Sequence, residues 1–375
     1  MRVDIVDASA FTPPYDHALA AALVRAGASV RLVTSRFAYG DVPAPEGYSV
    51  REHFYRHSGG APGSRRRQLS KLAEHVPDML RYRRARQDAD IAHFQWFDVQ
   101  WFDSALLPRP PVVLTAHDLL PREPRLGQAA AQRRLYRRMD AIIVHSDYGR
   151  RLLVDGLELS PDRVHVIHHG AFEHLTRSTD EFPLPAELEH VETPVVMFFG
   201  LLRPYKGLDV LLDAWRGIAD AELWIVGHPR MPIGSLQARA PANVRFLPRF
   251  VDDRELPALF RRADVVVLPY TRTERLDQSG VLATALAFGT PTVLSDIGGF
   301  SEIAATGAGR LVPPGDPVAL HEALTWLLGD AALRAQMGQA ALAAAGGPYS
   351  WAEAGRKTLA LYQSLLDDVG HNPPP

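Results

Sequence analysis

An apolar run, Val195 to Phe199, stops at Gly200, and the residues that follow carry two cations, Arg203 and Lys206, before Gly207 opens a helix-like stretch. Fixed positive charge beside the free amides of a helix start is what a diphosphate requires, because the donors are oriented before the anion arrives. A solvated basic loop would look the same if the motif stood alone. A second segment, Asp277-Gln278-Ser279-Gly280-Val281, runs into the apolar stretch Leu282 to Phe288. Ser279 and Gly280 fall where a helix would begin, and glycine there lets an oxygen approach the backbone closely. Gly298-Gly299 then leads to a carboxylate, Glu302. Two anion-suited helix starts so close together favour ligand chemistry over coincidence.

Other chemistry-bearing residues lie upstream. His117 follows the apolar run Val112 to Ala116, and reads either as a satisfied strand-end histidine or as a reacting group. Tyr15 and Asp16, in the segment after the first apolar run, are the groups available there for a phosphate. The segment His93 to Asp103 is dense in rings, which build cores but also stack on sugars and lipids; Trp96 and Trp101 are the acceptor-site candidates. Arg65 to Asp88 carries eight basic residues (Arg65, Arg66, Arg67, Lys71, Arg81, Arg83, Arg84, Arg86) against Glu74, Asp78 and Asp88. Such a run is either a solvated helix face or a surface for anionic lipid or a lipid-diphosphate acceptor. His165, His168 and His169 suggest a metal at first sight, but strand alternation would turn 168 and 169 to opposite faces, so a strand end is expected and no metal.

The elements that would hold these residues repeat one pattern, short Val- and Ile-rich runs each followed by a helix-length segment, as in parallel strands covered by crossover helices. The runs are Val3 to Val6, Val30 to Thr34, Ile91 to Phe94, Val112 to Ala116, Ala141 to His145 and Val164 to Ile167; after a polar, proline-bearing stretch at 173–194 they restart at Val195. The expected fold class is α/β, with two Rossmann-like doubly wound domains at 1–185 and 190–350 and a helix at 351–368 completing the first. No Gly-x-Gly-x-x-Gly follows either domain's first strand, which argues against a nicotinamide or flavin cofactor. The absence of cysteine excludes disulfides, thiolate zinc sites and cysteine nucleophiles. A formal net charge of −2 provides no long-range field for nucleic acid. No signal-peptide-like or membrane-spanning run is present, so a cytoplasmic protein is expected, with the basic segment as a contact for the inner membrane face.

Taken together, the Lys206-Gly207 loop, the stretch Ala285 to Pro291, the Gly298-Gly299 loop with Glu302 and the terminal Trp351 segment resemble the retaining family-4 glycosyltransferases of the GT-B fold, over essentially the whole chain. The resemblance implies a central cleft between the domains and transfer of a hexose from a nucleoside diphosphate sugar to an acceptor hydroxyl, with retained anomeric configuration. The acceptor would be a glycan, a lipid-linked sugar or a small molecule, and no cofactor beyond the donor is implied. Arg203 and Lys206 would hold the diphosphate, with Gly200, Gln278, Ser279, Gly280, Val281 and Glu302 around the donor. Phe250 and Val251 would flank the base, and His117 would sit by the donor sugar. The chain departs from the family pattern at Leu201, where an arginine is common, and at Leu276 and Thr284, where many members carry two glutamates. Thr284 can still meet a hydroxyl, and Asp277 is the substitute carboxylate nearest the first position. These departures keep open a non-catalytic partner subunit; a sugar-nucleotide epimerase is the other alternative, and would reveal itself by converting a nucleotide sugar without an acceptor.

Overall fold

The computed structural model describes residues 1–38, 40–61, 64–85, 88–109, 111–120, 126–177, 182–271 and 277–371; Arg86, Leu276 and the proline tail lie outside them. The chain divides into two compact units, Met1–His168 with Trp351–Pro375, and His169–Ser350. In the first, β1 (Arg2–Asp7), β2 (Ser29–Thr34), β3 (Ser49–Glu52), β4 (Ile91–Phe94), β5 (Val112–Thr115), β6 (Ala141–Val144) and β7 (Val164–Val166) form one sheet in the order β3-β2-β1-β4-β5-β6-β7. In the second, β8 (Val195–Phe199), β9 (Glu222–Val226), β10 (Val244–Leu247), β11 (Val265–Leu268), β12 (Thr292–Ser295) and β13 (Gly309–Val312) order as β10-β9-β8-β11-β12-β13. Every pairing is parallel. Central strands such as β4, β5, β6 and β11 are buried at every residue, which is why they read as unbroken apolar runs.

In each sheet the strand order reverses beside the first strand, between β1 and β4 and between β8 and β11. Helices depart to opposite faces at such a point, leaving a crevice beyond the carboxyl ends of the strands where ligands bind. The sequence reading did not include β3 and β13, and both are edge strands: β3, Ser-Val-Arg-Glu, is exposed throughout, and β13 contains glycine and arginine. An edge strand has only one neighbour to bury it and so needs no apolar run.

The 173–194 stretch read as a linker belongs to the second unit. There the Phe182 amide donates to the Arg254 carbonyl at 2.9 Å, and a 3-10 turn, Ala186–Leu188, buries Leu188 completely. The helix Trp351–His371 is part of the first unit, packed on the helix Pro13–Arg25. At their crossing a Cβ on Gly355 would stand 2.9 Å from the backbone of Ala22, so only glycine permits the approach. Tyr362 Oη lies 2.6 Å from Nδ1 of the fully buried His93, whose burial depresses its pKa to about 3 and keeps it neutral.

Candidate functional site

In the second unit the loops after β8, β9, β11 and β12 are locked together by glycines and by a buried lysine. Gly200 has φ 119°, and a Cβ there would stand 3.0 Å from Lys206 Nζ and 3.5 Å from Val281 Cγ2. The bare backbone of Gly200 thus brings the β8 loop, the lysine and the start of the helix Gly280–Ala287 to one place. Lys206 is 7% exposed, donates to Tyr270 Oη at 2.7 Å and holds its ammonium 4.7 Å from that ring's centre. The Thr271 amide donates to the Tyr205 carbonyl at 2.8 Å, which ties the β11 loop to the β8 loop. The Gly299 amide donates to the Asp277 carbonyl at 3.0 Å, bringing in the loop after β12. Arg203 is half-exposed and makes no side-chain hydrogen bond or ion pair among the described residues, so its guanidinium is available to a ligand.

The helix Gly280–Ala287 starts at Ser279, whose side chain does not cap it. Leu282 and Ala283 donate to the Ser279 carbonyl, while the amides of Gly280 and Val281 are at the helix end, where no preceding turn can accept from them. Gly280 is exposed and Val281 partly so. Two sequence readings change here. Asp277 is fully enclosed and engaged within the protein rather than presented to a sugar. The Thr284 hydroxyl donates to the Gly280 carbonyl at 2.9 Å and is 6% exposed, so it serves its own helix instead of a ribose. Gln278 accepts from the adjacent Ser279 amide, leaving its Nε2 buried without a partner among the described residues. Glu302 is half-buried in the first turn of the helix Phe300–Ala305. After β10, Phe250 is 58% exposed and Val251 is buried.

In the first unit the residues beyond β4, β5 and β6 form an aromatic cluster around His117. Trp96 stacks on it at 5.0 Å, and Tyr15 meets it edge-on at 4.5 Å. Nδ1 of His145 donates to the Ile167 carbonyl at 2.9 Å, which leaves its Nε2 as an acceptor 3.5 Å from His117 Nδ1. A neutral His117 donating from Nδ1 then accepts at Nε2, 3.0 Å from the Gln95 side-chain amide. Turning that amide so that its nitrogen faces His117 also gives a partner to a nitrogen otherwise buried without one. Of the two tryptophans, Trp96 belongs to this cluster, whereas Trp101 is 45% exposed on the helix Gln100–Leu106.

Tyr15 and Asp16 do not present themselves to a phosphate. Both are buried, and Tyr15 packs between His117 and Trp351. Asp16 shares a buried pocket with Asp7, which accepts from the amides of Phe11 and Thr12 at 2.6 and 3.1 Å. Burial first, and then the neighbouring carboxyl, push Asp16 well above its ordinary range; burial lifts Asp7 to about 6. A pKa raised in the folded state means stability that is complete below the unfolded value of 3.8 and is lost as pH rises through about 6. Asp16→Asn is therefore expected to raise the melting temperature at pH 8 and to change little near pH 4. Thermal unfolding across that range checks it; equal destabilisation at both ends would mean that Asp16 is needed as an acid at no pH.

Sequence reading missed a second polar chain in the first unit. Tyr55 Oη donates to Asp98 at 2.7 Å and lies 2.7 Å from His75 Nδ1, while His75 Nε2 meets Asp103 at 2.5 Å. Burial alone would depress His75, but the hydrogen bond and charge of Asp103, with Asp98 and Asp78 nearby, outweigh it and raise its pKa. Local spacing could not have shown this, because the four residues come from three segments of the chain, around Tyr55, around His75, and from Asp98 to Asp103.

Residues 193–330 match the family model for glycosyl transferases group 1, and residues 15–171 match that for Glycosyltransferase Family 4. The D-rhamnosyltransferase WbpZ of Pseudomonas aeruginosa is 31% identical over 286 residues, which cover 69% of this chain and 70% of that protein. The chain belongs to the family-4, group 1 glycosyltransferases. This glycosyltransferase is also 28% identical, over 79% of its length and 78% of the relative's, to a D-inositol 3-phosphate glycosyltransferase of Corynebacterium glutamicum. Its two Rossmann-like sheets are those of the GT-B fold. Sucrose-phosphate synthase from Thermosynechococcus elongatus superposes with a TM-score of 0.76 at 19% identity, covering 98% of this chain and 100% of that one. HepE from Anabaena, solved in complex with UDP-glucose, gives 0.72 at 19%, covering 97% and 100%. Among the described residues, no helix of this glycosyltransferase is long and apolar enough to cross a membrane, and no group of three or more histidine or carboxylate side chains is placed to hold a metal ion.

Proposed function

We propose that the enzyme transfers a hexose from a nucleoside diphosphate sugar to an acceptor hydroxyl with retention of configuration, the second unit binding the donor and the first the acceptor. The observation that carries this is the meeting, at Gly200, of buried Lys206 with the start of the Gly280–Ala287 helix. Arg203, Lys206 and the Gly280 and Val281 amides would neutralise the diphosphate as it leaves, a preorganised electrostatic stabilisation that a divalent ion supplies in other transferases. Phe250 offers an exposed ring to the base, and a UDP-glucose complex of HepE, which shares the fold, supports a nucleotide sugar as donor. His117, held by Trp96, Tyr15 and His145, would position the reacting sugar from the first unit. The exposed cations Arg81, Arg83 and Arg84, on the helix Arg65–Ala85, are proposed as a peripheral contact with anionic lipid.

Incubation with a panel of nucleotide sugars, with and without acceptors, followed by NMR of the anomeric linkage, tests the reaction. Conversion of donor only when an acceptor is present, and with the donor's own configuration, is the expected result; an inverted product or acceptor-free epimerisation would overturn it. In the same assay His117→Ala is expected to lower kcat by about a hundredfold or more, within the range for a positioned group at the reacting centre, while nucleoside diphosphate affinity stays within about twofold. A parallel fall in both would reduce His117 to a binding residue.

A further inference from the structure

We infer that a cavity in the first unit binds the acceptor through a phosphate group, held by Arg36, Arg67 and Lys71, and through a hydroxyl, held by Asp98. This rests on the reading of the first unit as the acceptor side. The cavity, of about 830 Å³, opens over the carboxyl ends of β1 to β4: Ser9 follows β1, Arg36 follows β2, Tyr55 follows β3 and Asp98 follows β4, with the helix Arg65–Ala85 as a wall. It therefore lies at the crevice that the strand order creates, next to the His117 cluster, since its lining residue Phe11 meets Trp96 at 5.5 Å between ring centres.

Its charge is lopsided. Arg36, Arg65, Arg67 and Lys71 line it against one carboxylate, Asp98. None of these four cations forms an ion pair with a described residue; Lys71 donates to Ser9 Oγ at 3.3 Å and Arg67 to the Gly60 carbonyl at 3.4 Å. Cations that outnumber the carboxylates beside them are a standing repulsion that an anionic ligand relieves. Phosphate suits them because guanidinium and ammonium donors can share its several oxygens.

Asp98 makes the site selective for more than a bare anion. Its Oδ2 accepts from Tyr55 Oη at 2.7 Å and from Ser9 Oγ at 2.9 Å, while no described residue donates to Oδ1. A free carboxylate oxygen repels a phosphate but accepts from a hydroxyl, so the ligand that satisfies the whole lining carries both groups. Tyr55 in turn is fixed by His75 and Asp103, which makes Asp98 a rigid acceptor. Leu69, Leu72 and Phe11, exposed at 68%, 52% and 59%, also line the cavity and would shelter an apolar chain. A phosphate on a free polyol and the headgroup of a lipid present the same chemistry to Asp98 and the cations.

Calorimetry and sedimentation with the full chain separate these sources, using glycerol 3-phosphate, glycerol, inorganic phosphate, and phosphatidylcholine vesicles with and without phosphatidylglycerol. Glycerol 3-phosphate or the phosphatidylglycerol vesicles should bind, glycerol and plain phosphatidylcholine should not, and whichever of the two binds identifies the source. Glycerol 3-phosphate binding should weaken at least tenfold in Arg67→Gln/Lys71→Met and stay unchanged in Arg83→Ser/Arg84→Ser, which lie on the same helix outside the cavity; vesicle binding through the cavity should weaken in the first variant as well. Asp98→Asn should weaken glycerol 3-phosphate relative to inorganic phosphate, which loses a repelling charge and should bind as tightly or more tightly. Vesicle binding that survives Arg67→Gln/Lys71→Met, beside no binding of glycerol 3-phosphate, would show a membrane-facing helix and no acceptor pocket, and no binding of any phosphate probe would also overturn the inference. Nucleoside diphosphate binding measured on the same samples distinguishes the two readings: its absence beside intact phosphate binding counts against the donor site alone, and the reverse against the cavity alone.

Discussion

Replacing Gly207 with alanine is expected to destabilise the second unit by about 3 to 5 kcal/mol, the largest effect foreseen for a single methyl group in this chain. Two costs add. Gly207 has φ 71° and ψ 31°, a left-handed conformation in which a Cβ crowds the following carbonyl, at a cost of roughly 1–2 kcal/mol. The new Cβ would also stand 1.9 Å from the carbonyl oxygen of Pro269, a backbone atom that cannot swing aside as a side-chain tip can. Pro269 directly precedes Tyr270, the partner of Lys206, so relief of the clash would pull apart the lysine's seat. In a unit of this size each kcal/mol moves the melting temperature by about 2–4 °C, so calorimetry should show the second unit's transition 6 to 20 °C lower. A shift under about 3 °C would mean that the two loops are not in contact. Gly227→Ala, whose Cβ would stand 2.0 Å from the Gly200 carbonyl oxygen, provides an independent check at the other side of the same loop.

The complementary experiment leaves the fold intact and removes charge. Lys206→Met keeps the length and volume of the side chain in its place beside Tyr270 while deleting the ammonium. If that ammonium faces a diphosphate, UDP or GDP affinity should fall by about 1.5–3 kcal/mol, roughly ten- to 150-fold, with kcat lowered further because the charge on the leaving group grows during the reaction. Thermal stability should hold or rise, since burying a methionine is easier than burying a cation. Arg203→Ala should weaken affinity to a similar degree with no effect on stability, because that side chain is half-exposed and without a protein partner among the described residues. Calorimetric affinities within twofold of the parent in both variants would remove the diphosphate from this loop.

These contrasts show which features the sequence could reveal. The strands Ile91–Phe94 and Val265–Leu268 were legible because burial on both faces demands apolar residues at every position, and Gly200 and Gly207 were legible because loop geometry demanded glycine. β3 was not, since an edge strand exposed throughout has no apolar signature. The placing of Arg203 and Lys206 between two obligatory glycines is local and could be read from spacing. The fate of Asp16, Asp277 and Thr284 depends on burial, which is set by segments far away in the chain, so polar residues at the right positions proved enclosed. Tyr55, His75, Asp98 and Asp103 lay hidden for the same reason: their meeting is a product of topology, not of any local pattern.

The return of the helix Trp351–His371 to the first unit also fixes an order of events at the ribosome. Helix Pro13–Arg25 and the ring of Tyr15 are made early, yet the surfaces they bury against Gly355, Tyr362 and Trp351 arrive only after the whole of His169–Ser350 has been translated. At about 5–20 residues per second that interval is roughly ten to forty seconds. Throughout it the newborn first unit exposes an apolar groove where its last helix will dock, and by its end the second unit has every strand it needs while that helix has yet to emerge. The unit that begins first is therefore the one that finishes last, and it is this unit, rather than His169–Ser350, that a stalled or truncated chain would leave open to chaperones and proteases.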